Sequence, residues 1–293
     1  MTTSDVSRDP ANYCYRHPDR MSFALCQRCQ RTICPECQTQ AAVGVICPEC
    51  MREQRKGRST AQKRAERRWG RGGGVAVRAG AAPVTNWIVG ITAGFFLLDL
   101  LLGLFGVSVT QWLAFAAPTL YPQYFGVFEP WRLLTYMLVH GSFIHVGLNL
   151  LSVWMIGRVL EPMLGRWRFI ALYLVSGLGG AVAVAFLAFG STVVGASGAL
   201  FGMLGALLVI GRTLGGDVRG ILIILGINLV VGFLLRAISW EAHIGGLIAG
   251  LLVGWVFSTT RRADQSRRQL ILLGVIVVAL LALLAVPPLI WLR

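Results

Sequence analysis

Seven apolar runs fill the C-terminal two-thirds of the chain, at about 86–106, 137–159, 168–189, 196–214, 218–235, 241–258 and 270–292. Each is close to the roughly 20 residues that an α-helix needs to cross about 30 Å of hydrocarbon. Charged residues sit between the runs rather than inside them. The pattern predicts an all-α polytopic membrane protein. The first 80 residues are different: polar, and holding all seven cysteines. No secretory signal peptide is evident there, so the first apolar run is expected to stay as an anchor. Four parts follow: a Cys/His module (1–50), a basic flexible linker (51–85), a bundle of six membrane helices (86–258), and a loop with a seventh membrane helix (259–293).

Composition supports the membrane assignment. The 293 residues are 55% hydrophobic and 14% charged, with mean hydropathy +0.66. The net charge of +14 could suggest nucleic acid. Its distribution argues otherwise, because ten basic residues lie between Arg52 and Arg78 and most others lie in short loops. With the linker placed in the cytoplasm, Arg158, Arg166, Arg168, Arg212, Arg219, Arg261, Arg262, Arg267 and Arg268 all fall inside. Only Arg132, Arg236 and Arg293 fall outside. The positive-inside rule then puts the N-terminus in the cytoplasm and the C-terminus outside. The Arg-rich stretch 61–71 reads as a solvated tether in preference to a short helix on anionic headgroups.

The cysteines pair up as Cys14-x2-His17, Cys26-x2-Cys29, Cys34-x2-Cys37 and Cys47-x2-Cys50. Each pair can set two donors on one tight turn, and two pairs close a tetrahedral site, so eight ligands fit two zinc ions. An odd number of cysteines does not suit a disulfide framework, and a cytoplasmic module would not be oxidised. The loop between Cys29 and Cys34 is short. It favours an interleaved grouping, Cys14, His17, Cys34 and Cys37 for one ion and Cys26, Cys29, Cys47 and Cys50 for the other, with sequential pairing still open. The module resembles a cross-braced B-box zinc finger in which Cys47 and Cys50 replace the usual final His pair. So few apolar side chains could not fold without the metal, so the ions are structural. The module's expected role is to recognise a cytoplasmic partner or to report on the cytoplasm.

His17 accounts for one of four histidines. His140, His145 and His243 lie at or in apolar runs, where ionisable groups are costly and mark function. Three runs that all cross from outside to inside bring His145 with Asn149, Ser197, and His243 to one depth just below the outer face. His145 and Asn149 are four apart and share a helical face. A serine hydroxyl needs an adjacent base, which a neutral histidine supplies. The oxyanion that forms needs donors: the free N–H of Ser197 at a helix start, the Asn149 amide and the His145 imidazole. Gly195 and Gly198 are expected to clear space for a substrate backbone. No carboxylate is placed as a third member. Glu161 and Asp217 fall on the cytoplasmic side, Glu241 lies on another face from His243, and Asp99 reads as a structural partner within the bundle. The unit is therefore a Ser–His dyad, and position alone leaves open which histidine is the base. His140 is either a structural hydrogen-bond partner or a support to the site. Gly246, Gly250 and Gly254, four apart, are read as helix packing.

Trp131-Arg132, His140-x4-His145-x3-Asn149, Gly195-Ala-Ser-Gly198 and Ala242-His-Ile-Gly-Gly246 together resemble the rhomboid family of intramembrane serine proteases, over about residues 86–258. The resemblance implies a six-helix bundle, here with a seventh helix appended as in some members. It implies Ser197 as nucleophile, His243 as general base, and His145, Asn149 and the Ser197 amide as oxyanion hole. Members often carry a tyrosine one turn after the serine. Phe201 stands there and can still stack on the base, without the hydroxyl. Trp131 and Arg132 belong to a loop that lies partly in the outer leaflet, where they would anchor or stabilise the fold. The implied substrates are transmembrane proteins in the lipid bilayer, cleaved at small residues near the outer face, with no catalytic cofactor. The rival readings are a transporter or proton channel using the histidines and Asp99, an inactive relative that binds membrane clients, and a zinc-module adaptor with a membrane anchor.

Overall fold

The computed structural model describes residues 10–40, 45–56, 82–234 and 238–292. The linker stretch 61–71 and Arg236 lie outside the described residues. The chain divides into two compact units, residues 1–64 and 65–293.

The first unit is built around its cysteines. A short hairpin pairs β1 (Tyr13–Cys14) with β2 (His17–Met21), and a second pairs β3 (Thr39–Gln40) with β4 (Val45–Ile46). Helix α1 (Pro48–Lys56) follows Cys47 directly. Ile33 and Ile46 are the buried aliphatic side chains, and the rest of the core is cysteine. Apolar burial of that size cannot offset the entropy of ordering the chain.

The second unit is a helical bundle. Its helices are α2 (Pro83–Gly103), α3 (Phe143–Leu164), α4 (Arg166–Leu187), α5 (Ser197–Thr213), α6 (Arg219–Leu234), α7 (Trp240–Thr259) and α8 (Ser266–Leu283). Among the described residues, five segments are long and apolar enough to cross a membrane: α2, α3, α4, α7 and Ser266–Trp291. The protein is a multi-pass membrane protein. Among these five, α4 is the most enclosed, with 67% of its apolar window buried, against 11% for the last segment. The bundle is thus centred on α4, α5 and α7, with α2 and α8 facing lipid.

Four expected spans differ in detail. The run 137–159 starts as a helix only at Phe143, because Tyr136–Leu138 form a 3-10 turn and Ser142 caps α3 by accepting from the His145 N–H. The runs 196–214 and 218–235 form helices of 17 and 16 residues. At 1.5 Å per residue α5 is about 25 Å long, short of the hydrocarbon thickness. The run 270–292 is broken where Pro287 and Pro288 begin a separate turn, Pro287–Trp291.

Glycines decide how closely α5 and α7 approach. Gly198 faces Gly246, Gly202 faces Gly250 and Ala206 faces Gly254, so the two helices run parallel in a fixed register. A Cβ on Gly246 would overlap the Gly198 carbonyl, and one on Gly250 would overlap that of Gly202. Helix α4 closes on the same seam, where a Cβ on Gly179 would lie 2.8 Å from the Gly245 carbonyl oxygen. In lipid, close backbone contact of this kind replaces the hydrophobic effect as the force between helices.

Polar side chains fasten the rim. Glu161, expected only to lie at the cytoplasmic side, is buried near the end of α3. It accepts from the N–H groups of Val84 and Thr85 (3.0 and 2.7 Å) and from Thr85 Oγ1 (2.8 Å). It therefore caps α2, whose first N–H groups have no partner of their own. Asp99 does not reach the bundle interior. It is half-buried and accepts from Ser108 Oγ, Thr110 N and Thr110 Oγ1, which closes the loop after α2. Arg132 is buried and donates to Glu129 (2.6 Å) and to the Ala114 carbonyl (2.7 Å), while Trp131 Nε1 donates to the Trp112 carbonyl. The pair stitches its own loop together. In the same loop β5 (Phe115–Ala116) pairs with β6 (Thr192–Val193), just ahead of Ser197. Buried Gln269 of α8 accepts from Arg168 Nε and donates to Thr260, which ties the seventh helix to α4 and to the end of α7.

Gly250→Ala forces a methyl into the Gly202 backbone. It is expected to destabilise by about 1–3 kcal/mol, more than the up to about 1 kcal/mol that alanine gains in helix propensity. Gly274→Ala, with open space around it, should be neutral or stabilising. Thermal unfolding of both variants in the same detergent checks the contrast.

Candidate active site and Cys/His centres

Helix starts carry the expected polar residues. Ser197 is the first residue of α5, His145 lies in the first turn of α3, and His243 lies in the first turn of α7. Ser239 caps α7, accepting from the Ala242 N–H at 3.3 Å, which fixes where the His243 turn begins. The glycine seam then sets the separation. His243 Nε2 stands 2.9 Å from Ser197 Oγ. His243 is buried and Ser197 half-buried, so the hydroxyl is the accessible member. Phe201, one turn along α5, stacks on the His243 ring at 4.1 Å between centroids and 12° between planes. The missing hydroxyl does not prevent stacking.

The second imidazole nitrogen, His243 Nδ1, is buried with no partner among the described residues. Gly232 of α6 lies behind it, where an added Cβ would sit 3.5 Å away. Glu241 is engaged elsewhere, accepting from Ser239 Oγ at 2.9 Å.

On the other side of Ser197, a Cβ on Gly195 would lie 2.6 Å from His145 Nε2, so that ring covers Gly195. Gly195 has φ +108°, a backbone state closed to most L-residues, and its N–H donates to the Tyr136 carbonyl at 2.9 Å. His140 is buried. Its ring meets His145 edge-on at 4.9 Å, and its Nε2 accepts from the Ala196 N–H at 3.4 Å. No side chain caps α5, which leaves its first N–H groups directed at the space beside Ser197. Asn149 is buried and Nδ2 donates to the His145 carbonyl at 2.9 Å. One amide hydrogen is thereby committed and one remains.

At Gly198 an added Cβ would meet Tyr136 Oη at 3.1 Å and the Ala242 carbonyl at 3.2 Å, so this glycine packs within the bundle. Tyr136 was not singled out from sequence. Its hydroxyl donates to the Gly177 carbonyl while its carbonyl holds Gly195, so it joins the segment after Trp131-Arg132 to the strained turn before Ser197. Its nearness to the Trp131-Arg132 pair is the only sequence signal pointing to it.

The comparisons with known proteins bear on this region. Residues 127–260 match the Rhomboid domain. That stretch, a little under half of the chain, is a rhomboid domain. It is 36% identical over 160 residues to Rhomboid protease GluP of Bacillus subtilis, an alignment covering 52% of this chain and 30% of that protein. It is 41% identical over 137 residues to RHOMBOID-like protein 5 of Arabidopsis thaliana, covering 44% of each. With Rhomboid protein 1, mitochondrial, of Saccharomyces cerevisiae, the identity is 34% over 147 residues, covering 44% of this chain and 42% of the other. The chain thus spans less than half the length of these relatives.

In the N-terminal unit the donors gather into two groups, Cys14, His17, Cys34 and Cys37, and Cys26, Cys29, Cys47 and Cys50. Within each group all donor atoms lie within 4.8 Å of one another. The groups interleave along the chain. His17 Nδ1 faces the sulfurs of Cys34, Cys37 and Cys14 at 3.3, 3.4 and 3.8 Å, and Cys29 and Cys47 have their sulfurs 3.7 Å apart. Tetrahedral zinc with bonds of about 2.3 Å to sulfur and about 2.0 Å to nitrogen gives ligand–ligand edges of about 3.5–3.8 Å, so the donors fit such an ion. The electrostatics agree. Burial raises the Cys14 and Cys26 thiols, but backbone N–H groups outweigh it and bring each down to about 6. Burial and the neighbouring sulfurs push Cys37 up to about 11 and Cys50 up to about 12. Four packed sulfurs oppose one another's ionisation, and a divalent cation removes that opposition.

Because the two groups share no donor, Cys34→Ser and Cys47→Ser should each lower bound metal from about two to about one equivalent per chain. Elemental analysis of purified protein measures this. A loss of both equivalents in either variant would show one cooperative centre instead.

Proposed function

We propose that this protein is an intramembrane serine endopeptidase that cleaves transmembrane-helix substrates through a Ser197–His243 dyad. The observation that carries the reading is the 2.9 Å approach of Ser197 Oγ to His243 Nε2 at the starts of two helices in a rhomboid domain. The name of the Bacillus subtilis relative, a rhomboid protease, supports it.

The chemistry follows from the contacts. His243 Nε2 takes the Ser197 proton as the oxygen attacks a substrate carbonyl carbon. The carbonyl oxygen becomes an oxyanion, met by the Ser197 N–H, the His145 ring and the free hydrogen of Asn149. His243 returns the proton to the leaving amine as the peptide C–N bond breaks, leaving an acyl-enzyme. Water then attacks the ester, with His243 as base again, and frees Ser197. No carboxylate takes part. The stack of Phe201 on His243 and the packing of Gly232 behind it hold the imidazole where a third residue would otherwise do so. Small side chains at the cleaved bond suit a site roofed by His145 over Gly195.

The arginine distribution supports a cytoplasmic N-terminus and a site near the outer membrane face, where water reaches a helix that starts below the surface. The two Cys/His groups would hold structural zinc, and the unit they build would meet a cytoplasmic partner or report on the cytoplasm.

Purified protein in lipid should cleave a model transmembrane substrate and label with a fluorophosphonate, while Ser197→Ala and His243→Ala do neither. Equal cleavage by all three would end the protease reading and favour transport or client binding. Asn149→Ala should lower kcat by about 10²–10³-fold with little change in KM, the usual cost of one oxyanion donor. A change under about twofold in single-turnover assays would remove Asn149 from the hole.

A further inference from the structure

The N-terminal unit has little apolar material, yet it turns three of its large apolar side chains outward. Met21, Phe23 and Leu25 are 43%, 72% and 49% exposed. They alternate along one extended segment, so they project from one face as a line about 13 Å long. The exposure is enforced by the opposite face. Ser22 N donates to the Asn12 carbonyl, Ser22 Oγ to the Ile33 carbonyl at 2.8 Å, and Ile33 N to the Ala24 carbonyl, while Ala24 packs on the cysteine core. The segment cannot rotate to bury its apolar face without breaking these bonds. Arg16 and Arg28, at either end of the line in sequence, are exposed. Arg20 is paired with Glu36.

Two sequence facts say what such a face meets. Residues 57–81 carry seven basic side chains against one acidic, Glu66. The same stretch joins the unit to α2, a membrane helix, over at most about 90 Å of fully extended chain. A lipid surface is therefore always within reach, at high effective concentration. A short apolar edge flanked by arginine and followed by a basic segment has the two signals that stable interfacial binding requires, apolar insertion and attraction to anionic headgroups.

We propose that Met21, Phe23 and Leu25 form a docking edge that inserts into the interfacial zone of an anionic lipid leaflet, holding the Cys/His unit on the membrane. This does not depend on the proteolytic reading. The two metal centres give the edge its rigidity, because every turn that orients it ends in a ligand: Cys14 and His17 precede it and Cys26 follows directly.

The test uses the full chain with p-benzoylphenylalanine in place of Phe23, reconstituted into vesicles of phosphatidylglycerol and phosphatidylethanolamine or of phosphatidylcholine alone. The control carries the same photoprobe in place of Glu53, exposed on α1. Irradiation and mass spectrometry should find phospholipid adducts at position 23 at least about fivefold above position 53, and at least about fivefold more in the anionic vesicles than in phosphatidylcholine. Met21→Ser with Leu25→Ser, keeping the probe at 23, should cut the adducts while bound metal stays unchanged. If those serines unsettle the unit, metal content in the same sample shows it, and the lipid comparison, which needs no further substitution, decides. Equal lipid labelling at 23 and 53, no lipid adduct at 23, or adducts at 23 to a second copy of the chain or to another protein would each overturn the proposal.

Discussion

Backbone contact between α5 and α7 governs the rest of this molecule. Two helices that carried ordinary side chains would pack 8–10 Å apart, and a serine and a histidine at their starts would not be held in touch. Gly198, Gly202, Gly246, Gly250 and Gly254 strip side chains from most of that seam, and Ala206 opposite Gly254 adds only a methyl. The helices then meet carbonyl to Cα, in parallel and in a single register, and Ser197 and His243 fall 2.9 Å apart as a consequence. The same glycines that look like a packing motif are thus the support of the candidate chemistry, and the two readings of them are not rivals.

Other polar groups are placed so that this seam is not disturbed. Glu161 caps α2, Asp99 closes the loop behind it, Arg132 holds the segment between α2 and α3, and Gln269 ties α8 to α4 and α7. Each satisfies backbone or side-chain groups that would be costly to leave unpaired in lipid. None points at Ser197. Three buried atoms without a hydrogen-bond partner among the described residues, His140 Nδ1, Asn149 Oδ1 and His243 Nδ1, lie on residues at the site, while Thr92 Oγ1, Tyr173 Oη and Ser176 Oγ are orphaned within the helix packing.

The N-terminal unit obeys a different physics. Its core is cysteine sulfur in place of most of a hydrocarbon core. That frees Met21, Phe23 and Leu25 to face outward, which a unit relying on apolar burial could not spare. The bundle and the unit thus share one limitation, scarce hydrophobic driving force, and answer it separately: close glycine contact in lipid, and convergent donors in water.

Much was legible from residue order alone. The seven apolar runs, the four ligand pairs and the motif residues around Ser197, His145 and His243 are local patterns, because helix length, turn-bound ligand spacing and hydropathy are set within a few residues of chain. What neighbouring residues could not show is where distant segments touch. Only tertiary packing decided that α3 starts at Phe143 rather than Met137, that Gly198 packs against α7, and that Tyr136 holds Gly195. Glu161 as a cap on a helix 76 residues away, and Asp99 as a loop clasp instead of a bundle partner, belong to the same class. Their positions depend on backbone-to-backbone distances across the bundle, which follow from how all the helices fit at once.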